Sequence, residues 1–239
     1  MNAIEMRHVE KDYGQFQIKD LNLCLPSGYI MGLIGENGAG KSTTIECILG
    51  TKKADSGEIS ILSLDPQKDR RRLFQRVGVQ FQECDYQPEI KVSELCEETV
   101  CLYKDPADWK KLCTQFGLAN KINSAVKSLS GGERQRLFIV LALIPNPQVV
   151  FLDELTTGLD TKARRDVWKI LEGLKNQGMT IFLTSHFMDE VEALCDEICI
   201  LKKGQIAFYG TIMQAIEKSG CEKFEDAYLA LAGEEVDAE

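Results

Sequence analysis

The sequence predicts an α/β fold: a parallel sheet alternating with helices, interrupted by a helical insert. Three observations predict it. Tyr29 to Ile34, Val149 to Leu152 and Thr180 to Leu183 are short apolar runs of buried-strand length, and each leads toward a helix-like stretch. The first run enters the glycine-rich loop Gly35-Glu36-Asn37-Gly38-Ala39-Gly40-Lys41-Ser42-Thr43, which matches G-x-x-x-x-G-K-[ST]. Between Glu83 and Lys127 no long apolar run occurs, and helical periodicity takes over, with Leu95, Thr99, Leu102 and Tyr103 as one stripe.

In chain order, Ala3 to Val9, Phe16 to Leu25 and Tyr29 to Ile34 read as strands separated by turns at Asp12-Tyr13-Gly14 and Pro26-Ser27-Gly28, with antiparallel pairing expected early. A helix after the glycine-rich loop runs to Leu49, where Gly50 can cap it. Gly57 to Ile61 alternates as a half-exposed strand, and Val77 to Phe81 is another. Asp69-Arg70-Arg71-Arg72 reads as a solvated helix face. Leu137 to Ile144 is an apolar helix ended by Pro145. After Val149 to Leu152, a helix capped at Thr161 carries Ala163, Val167, Ile170, Leu171 and Leu174 on one stripe and stops at Gly178. Met188, Val191 and Leu194 form the stripe of a further helix, and Glu197 to Leu201 pairs with Gln205 to Tyr209 as a hairpin. Two short helices and an acidic tail from Glu234 follow.

With 239 residues, 44% of them hydrophobic, the chain can bury a sizeable core. The net charge of −9 argues against a nucleic-acid partner, since phosphate-backbone binders carry basic surfaces. Nine scattered cysteines with no C-x-x-C pair suit a reducing compartment, where a thiol in an apolar stretch acts as a small hydrophobe. Met1 to Glu10 mixes charged and apolar residues, unlike a secretory signal, and Leu137 to Ile144 is far shorter than the ~20 residues that span a bilayer. Any membrane role is therefore expected to run through a partner.

The glycine-rich loop is the strongest chemical signal. Glycines let backbone N–H groups wrap a polyphosphate, the following helix presents its positive end, Lys41 adds a full charge, and the Ser42 hydroxyl can reach Mg²⁺. In open parallel sheets, ligands bind beyond the carboxyl ends of the strands, where Asp153-Glu154 and His186 also fall. Asp153 is the expected metal-holding carboxylate and Glu154 the expected base for an attacking water. Ser130-Gly131-Gly132-Glu133 opens a second helix that can receive an anion, although taken alone a Ser-Gly-Gly turn favours an ordinary N-cap.

The order and spacing of Gly35 to Thr43, Gln82, Leu129 to Glu133, Val149 to Glu154, Gly158-Leu159-Asp160 and His186 resemble the nucleotide-binding subunits of ATP-binding-cassette (ABC) transporters over about Ala3 to Thr211. The resemblance implies a RecA-like P-loop NTPase core with an N-terminal antiparallel β subdomain and an inserted α-helical subdomain. It implies one ABC ATPase domain over 1–239: α/β core and β subdomain at 1–82 and 145–220, helical subdomain at 83–144, and a C-terminal helix and acidic tail at 221–239. It also implies ATP and Mg²⁺ as ligands. Tyr13 then stacks on adenine; Gly35, Asn37, Gly38, Ala39, Gly40, Lys41, Ser42 and Thr43 hold the phosphates; Ser42, Gln82 and Asp153 serve the metal. Ser130, Gly131 and Gly132 serve the nucleotide of a facing subunit, Asp160 communicates across the dimer, and His186 contacts the γ-phosphate beside the catalytic Glu154.

The implied partners are a second ABC ATPase subunit, expected to be identical, in a head-to-tail dimer, and polytopic permease subunits. The implied place is cytoplasmic, peripheral on the inner face of the plasma membrane. Thr184 to Asp196 resembles exporters of the bacterial multidrug and antibiotic-resistance type. Two departures stand out: Glu133 where the family usually has Gln, and Leu155 where it usually has Pro. Alternative readings are a soluble ABC ATPase in translation or DNA repair, which the acidic balance disfavours, and an ATP-gated assembly scaffold, which the retained Glu154 disfavours.

Overall fold

The computed structural model describes residues 1–81, 86–87, 89–154 and 156–233; Gln82, Leu155 and the acidic tail from Glu234 lie outside the described residues. Strands β1 (Asn2–Asp12), β2 (Gln17–Pro26) and β4 (Ser56–Ile61) form an antiparallel sheet in the order β2-β1-β4. Strand β3 (Ile30–Ile34) does not join it. All five of its residues are buried, as expected of a strand covered on both faces, and it lies in a six-stranded sheet of order β5-β6-β7-β3-β8-β9. The other members are β5 (Val77–Gln80), β6 (Val149–Leu152), β7 (Thr180–Thr184), β8 (Glu197–Lys202) and β9 (Gln205–Gly210). Pairing is parallel from β5 through β8, and β9 returns antiparallel as the expected hairpin.

Helix α1 (Lys41–Ile48) follows the glycine-rich loop, and the short α2 (Arg70–Leu73) carries three exposed arginines and one buried leucine. Between β5 and β6 stand α3 (Val92–Val100), α4 (Trp109–Gln115) and α5 (Gly131–Leu143). Their core joins Leu95, Cys96, Trp109, Cys113 and Phe116 to α5 residues Leu137 to Leu143 and to strand residues Val150 and Leu152. The expected stripe through Leu102 fails: α3 ends at its Cys101 cap, and Leu102 is 70% exposed beyond it. Helix α5 approaches β5 so closely that a Cβ at Gly78 would lie 1.9 Å from the carbonyl oxygen of Ala142. Only glycine fits this crossing, which pins the helical segment to the sheet edge.

Helices α6 (Thr161–Asn176) and α7 (Met188–Leu194) follow β6 and β7. The α6 cap lies one residue earlier than the sequence suggested: Asp160, not Thr161, accepts a hydrogen bond from the Ala163 N–H. Both are good capping residues, and Asp160 alone has the extended backbone of a cap. Helices α8 (Ile212–Ser219) and α9 (Phe224–Ala232) complete the described chain. Among the described residues no helix is long and apolar enough to cross a membrane, and all eight cysteines are unpaired.

Candidate nucleotide site

Strands β6, β7 and β3 are neighbours, so their carboxyl ends lie side by side. This brings the loop after β3, Asp153-Glu154 after β6 and His186 after β7 to one edge of the sheet, as the sequence predicted. In the loop, Gly38 has φ 80° and Gly40 φ 109°, in the region where glycine is at ease. A Cβ on Gly40 would also come within 2.7 Å of the Phe16 ring. The helix therefore begins without a side-chain cap on its first N–H groups.

Lys41 is 8% exposed and folds back over the loop, donating to the carbonyls of Gly35 at 2.7 Å and Glu36 at 3.1 Å. Burial pushes its ammonium below the usual lysine range, while the charges of Glu154 and Asp153 act to restore it. Asn37 and Ser42 are exposed, Ala39 is buried and Thr43 half-buried. Tyr13 is 43% exposed, with the ammonium groups of Lys11 and Lys52 each 5.4 Å from its ring centre. An exposed ring flanked by cations is chemically suited to stack on a base.

The two carboxylates have different surroundings. Asp153 is raised above the usual aspartate range by burial first, opposed mainly by the hydrogen bond from Thr184 and the charge of Lys41. The Thr184 hydroxyl donates to Asp153 Oδ1 at 2.5 Å and accepts from the Glu154 N–H at 2.9 Å. Glu154 has φ 49°, a left-handed backbone that few glutamates adopt, and its carboxylate is hydrogen-bonded to His186 Nε2. Strain of this kind marks a position held for function by its surroundings. Gln80 ties the end of β5 to the same place, donating to the carbonyl of Asp153 at 3.2 Å and receiving the Asp153 N–H on its own carbonyl at 3.1 Å.

Sequence reasoning missed Thr184 and Gln80. Both are buried polar residues at the carboxyl ends of their strands, which is the signal that could have found them.

Ser130 caps α5 in a reciprocal box: its hydroxyl accepts from the Glu133 N–H at 3.2 Å, and its own N–H donates to Glu133 Oε2 at 2.9 Å. Lys121 lies 3.3 Å from the other carboxylate oxygen. Gly131 has open space where a Cβ would be, and Gly132 faces Leu159. No hydrogen bond or ion pair among the described residues joins Ser130, Gly131 or Gly132 to the loop of their own chain. Asp160 is exposed and serves as the α6 cap.

Fold and site together define a P-loop nucleotide-binding ATPase. Residues 18–157, more than half of the chain, match the sequence profile of the family described as ABC transporter. The chain is 37% identical over 236 residues to the Nod factor export ATP-binding protein I of Rhizobium etli, covering 94% of this chain and 73% of that protein. It is 39% identical over 231 residues to the protein of the same name from Rhizobium meliloti, covering 93% and 69%. Among solved structures, an ATP-binding subunit of an ABC transporter superimposes with a TM-score of 0.88 at 25% identity, covering 96% of this chain and 99% of that one. A dimeric bacterial ABC transporter cassette gives 0.78 at 25% identity, covering 87% and 98%. The chain belongs to the ABC transporter family, as one of its ATP-binding ATPase subunits.

Proposed function

We propose that this chain powers export through separate permease subunits, to which it docks on the cytoplasmic face of the membrane as a head-to-tail dimer. The observation that carries the reading is the convergence of the phosphate loop, Asp153-Glu154 and His186 at adjacent strand ends. The export direction is supported by relatives that carry export in their names.

In this reading the N–H groups from Gly35 to Thr43 wrap the phosphates, and Lys41 leaves the carbonyls of Gly35 and Glu36 for the outer ones. Tyr13 stacks on adenine. Magnesium fits the donors present, because the Ser42 hydroxyl makes no hydrogen bond among the described residues and one Asp153 oxygen is left over by Thr184. A hydroxyl and one carboxylate are the few hard ligands this cation needs beside phosphate and water, and Gln82 is the third candidate. When bound, it neutralises charge on the outer phosphates. Glu154 takes the proton of the attacking water, and His186 turns between Glu154 and the γ-phosphate.

Ser130, Gly131 and Gly132 meet the nucleotide of the facing subunit, with Asp160 beside that contact, so ATP closes the dimer and hydrolysis opens it. Residues 83–144 then form the helical lobe and 1–82 with 145–220 the catalytic body.

The test is Glu154→Gln. Hydrolysis should fall by about 10²–10⁴-fold while ATP affinity persists and ATP now drives a dimer stable to size-exclusion chromatography. Hydrolysis at the wild-type rate would refute the assignment of the base.

A further inference from the structure

Arg164 stands in the first turn of α6, its N–H donating to the Asp160 carbonyl at 2.9 Å, and its side chain is only 17% exposed. Its Nε is buried without a hydrogen-bond partner among the described residues. The guanidinium pairs with Asp189 at 3.2 Å, but the Asp189 side chain is 63% exposed, and an ion pair with so open a partner is screened and contributes little. An arginine held this way is a poor choice for stability, because its unpartnered nitrogen loses water without a replacement.

What the guanidinium does cover is a ring. Its central carbon lies 3.9 Å from the centre of the Phe187 ring, close enough for the flat group to stack on the aromatic face. Phe187 is the residue after His186, and its backbone closes on Ser185. The Phe187 N–H donates to the Ser185 hydroxyl at 3.0 Å, and that hydroxyl donates to the Phe187 carbonyl at 3.4 Å. Ser185 is buried, Phe187 half-buried and His186 exposed. His186 therefore rides on a three-residue turn, fixed at its first residue by burial and at its last by a ring that α6 covers. From that turn its Nε2 reaches the Glu154 carboxylate.

Resting on the ATPase reading of Glu154 and His186, we propose that Arg164 is a positioning residue for hydrolysis, acting on His186 through the Phe187 ring. The stack ties the turn after β7 to the first turn of α6 and holds the imidazole within reach of Glu154. No hydrogen bond or ion pair among the described residues joins Arg164 to the phosphate loop. Its replacement should therefore leave ATP binding intact and slow the chemical step.

The experiment measures ATP affinity and kcat for the full chain and for Arg164→Met, Arg164→Lys, Phe187→Leu, Phe187→Tyr and Asp189→Asn, at protein concentrations where the rate per chain no longer rises. Methionine keeps the apolar stem and lysine keeps the charge, but neither supplies the plane. Arg164→Met, Arg164→Lys and Phe187→Leu should each lower kcat about tenfold, a fraction of what a 1 Å misplacement can cost, with ATP affinity within about twofold. Phe187→Tyr keeps the ring and Asp189→Asn removes only the charge of an exposed partner, so both should stay within about twofold of wild type. Adding Arg164→Met to His186→Ala should lower the single-turnover rate by less than a further factor of about two, because the route through the histidine is already cut.

Wild-type kcat in a folded Arg164→Met or Arg164→Lys overturns the proposal, and if the methionine variant does not fold, Arg164→Lys and Phe187→Leu decide. A loss in Asp189→Asn as large as in Arg164→Met would move the effect to the ion pair, and a full further loss in the His186→Ala background would take His186 out of the route. Either result overturns it, as does a fall in ATP affinity as large as the fall in kcat. Wild-type hydrolysis and its loss in Glu154→Gln report separately on the ATPase reading. If those two controls behave, a negative result falls on Arg164 alone.

Discussion

Thr184 is the residue on which the arrangement of both acidic groups depends, so Thr184→Val is the sharpest perturbation the structure offers. Valine keeps the branched shape of a fully buried side chain at the end of β7 and deletes only the hydroxyl. That hydroxyl donates to Asp153 at 2.5 Å and accepts the Glu154 N–H at 2.9 Å. A hydrogen bond to a charged acceptor contributes about 1.5–3 kcal/mol, and a half-buried amide left without its partner costs up to about 1–3 kcal/mol. The two losses share one atom and the site can relax, so about 3 kcal/mol is expected. In a chain of this length that lowers Tm by about 6–12 °C.

The catalytic effect follows from the same bond. Glu154 holds a left-handed backbone at φ 49°, and its N–H is anchored by Thr184. Without the anchor the backbone can return toward a commoner conformation and carry the carboxylate away from His186. A drop in kcat of about 10- to 100-fold is expected, with ATP affinity little changed because the phosphate loop is not touched. Thermal unfolding and steady-state hydrolysis measure the two effects, and Thr184→Ser should recover most of both. If Thr184→Val loses less than about 2 °C and keeps kcat within about twofold, the hydroxyl does not organise the site.

Gly40→Ala places a Cβ at φ 109° and 2.7 Å from Phe16, so it should lose nucleotide affinity at least tenfold, read by calorimetry. Ser130→Ala removes the α5 cap and should cost about 1 kcal/mol in urea unfolding. Glu133→Gln keeps the acceptor for the Ser130 N–H and loses only the partly exposed pairing with Lys121, so it should cost under about 1 kcal/mol. The Ser130 N–H, helped by Lys121, holds the Glu133 carboxyl below its ordinary value of 4.5. Its stabilisation is therefore complete above pH 4.5 and is lost as pH falls through the lowered value. The stability gap between wild type and Glu133→Gln should narrow on acidification over that interval alone, as read by urea unfolding at stepped pH.

The sequence made the sheet and most of the site legible because both rest on contiguous residues. Val149 to Leu152 is apolar throughout since β6 is buried on both faces, and the acidic pair follows at once. The phosphate loop lies between a strand and a helix, the context its chemistry requires. What stayed hidden depends on registers between distant strands. β3 reads as a buried strand, but its place between β7 and β8 shows only in the pairing. Glu190 reads as the polar side of an amphipathic helix. It is buried because α6 covers that side, and no spacing within Met188 to Leu194 records the cover. Asp160 and Thr161 differ by one position at a helix start, a distinction that composition cannot make.

The Glu133 departure gains a physical account from the same geometry. In the proposed composite site, Ser130 and the glycine N–H groups meet phosphate oxygens of the facing nucleotide, and a carboxylate three residues along would repel them. Here the Glu133 charge is occupied by the Ser130 N–H at 2.9 Å and faced by Lys121 at 3.3 Å. The neutral family residue offers a similar acceptor without a charge to offset. Lys121 thus supplies what the substitution requires, and the helix start keeps its positive character toward an incoming anion. The Ser130 hydroxyl accepts from the Glu133 N–H, and a contact with a neighbour's phosphate would use it as a donor. Since a hydroxyl can accept and donate at once, the cap and the phosphate contact are compatible.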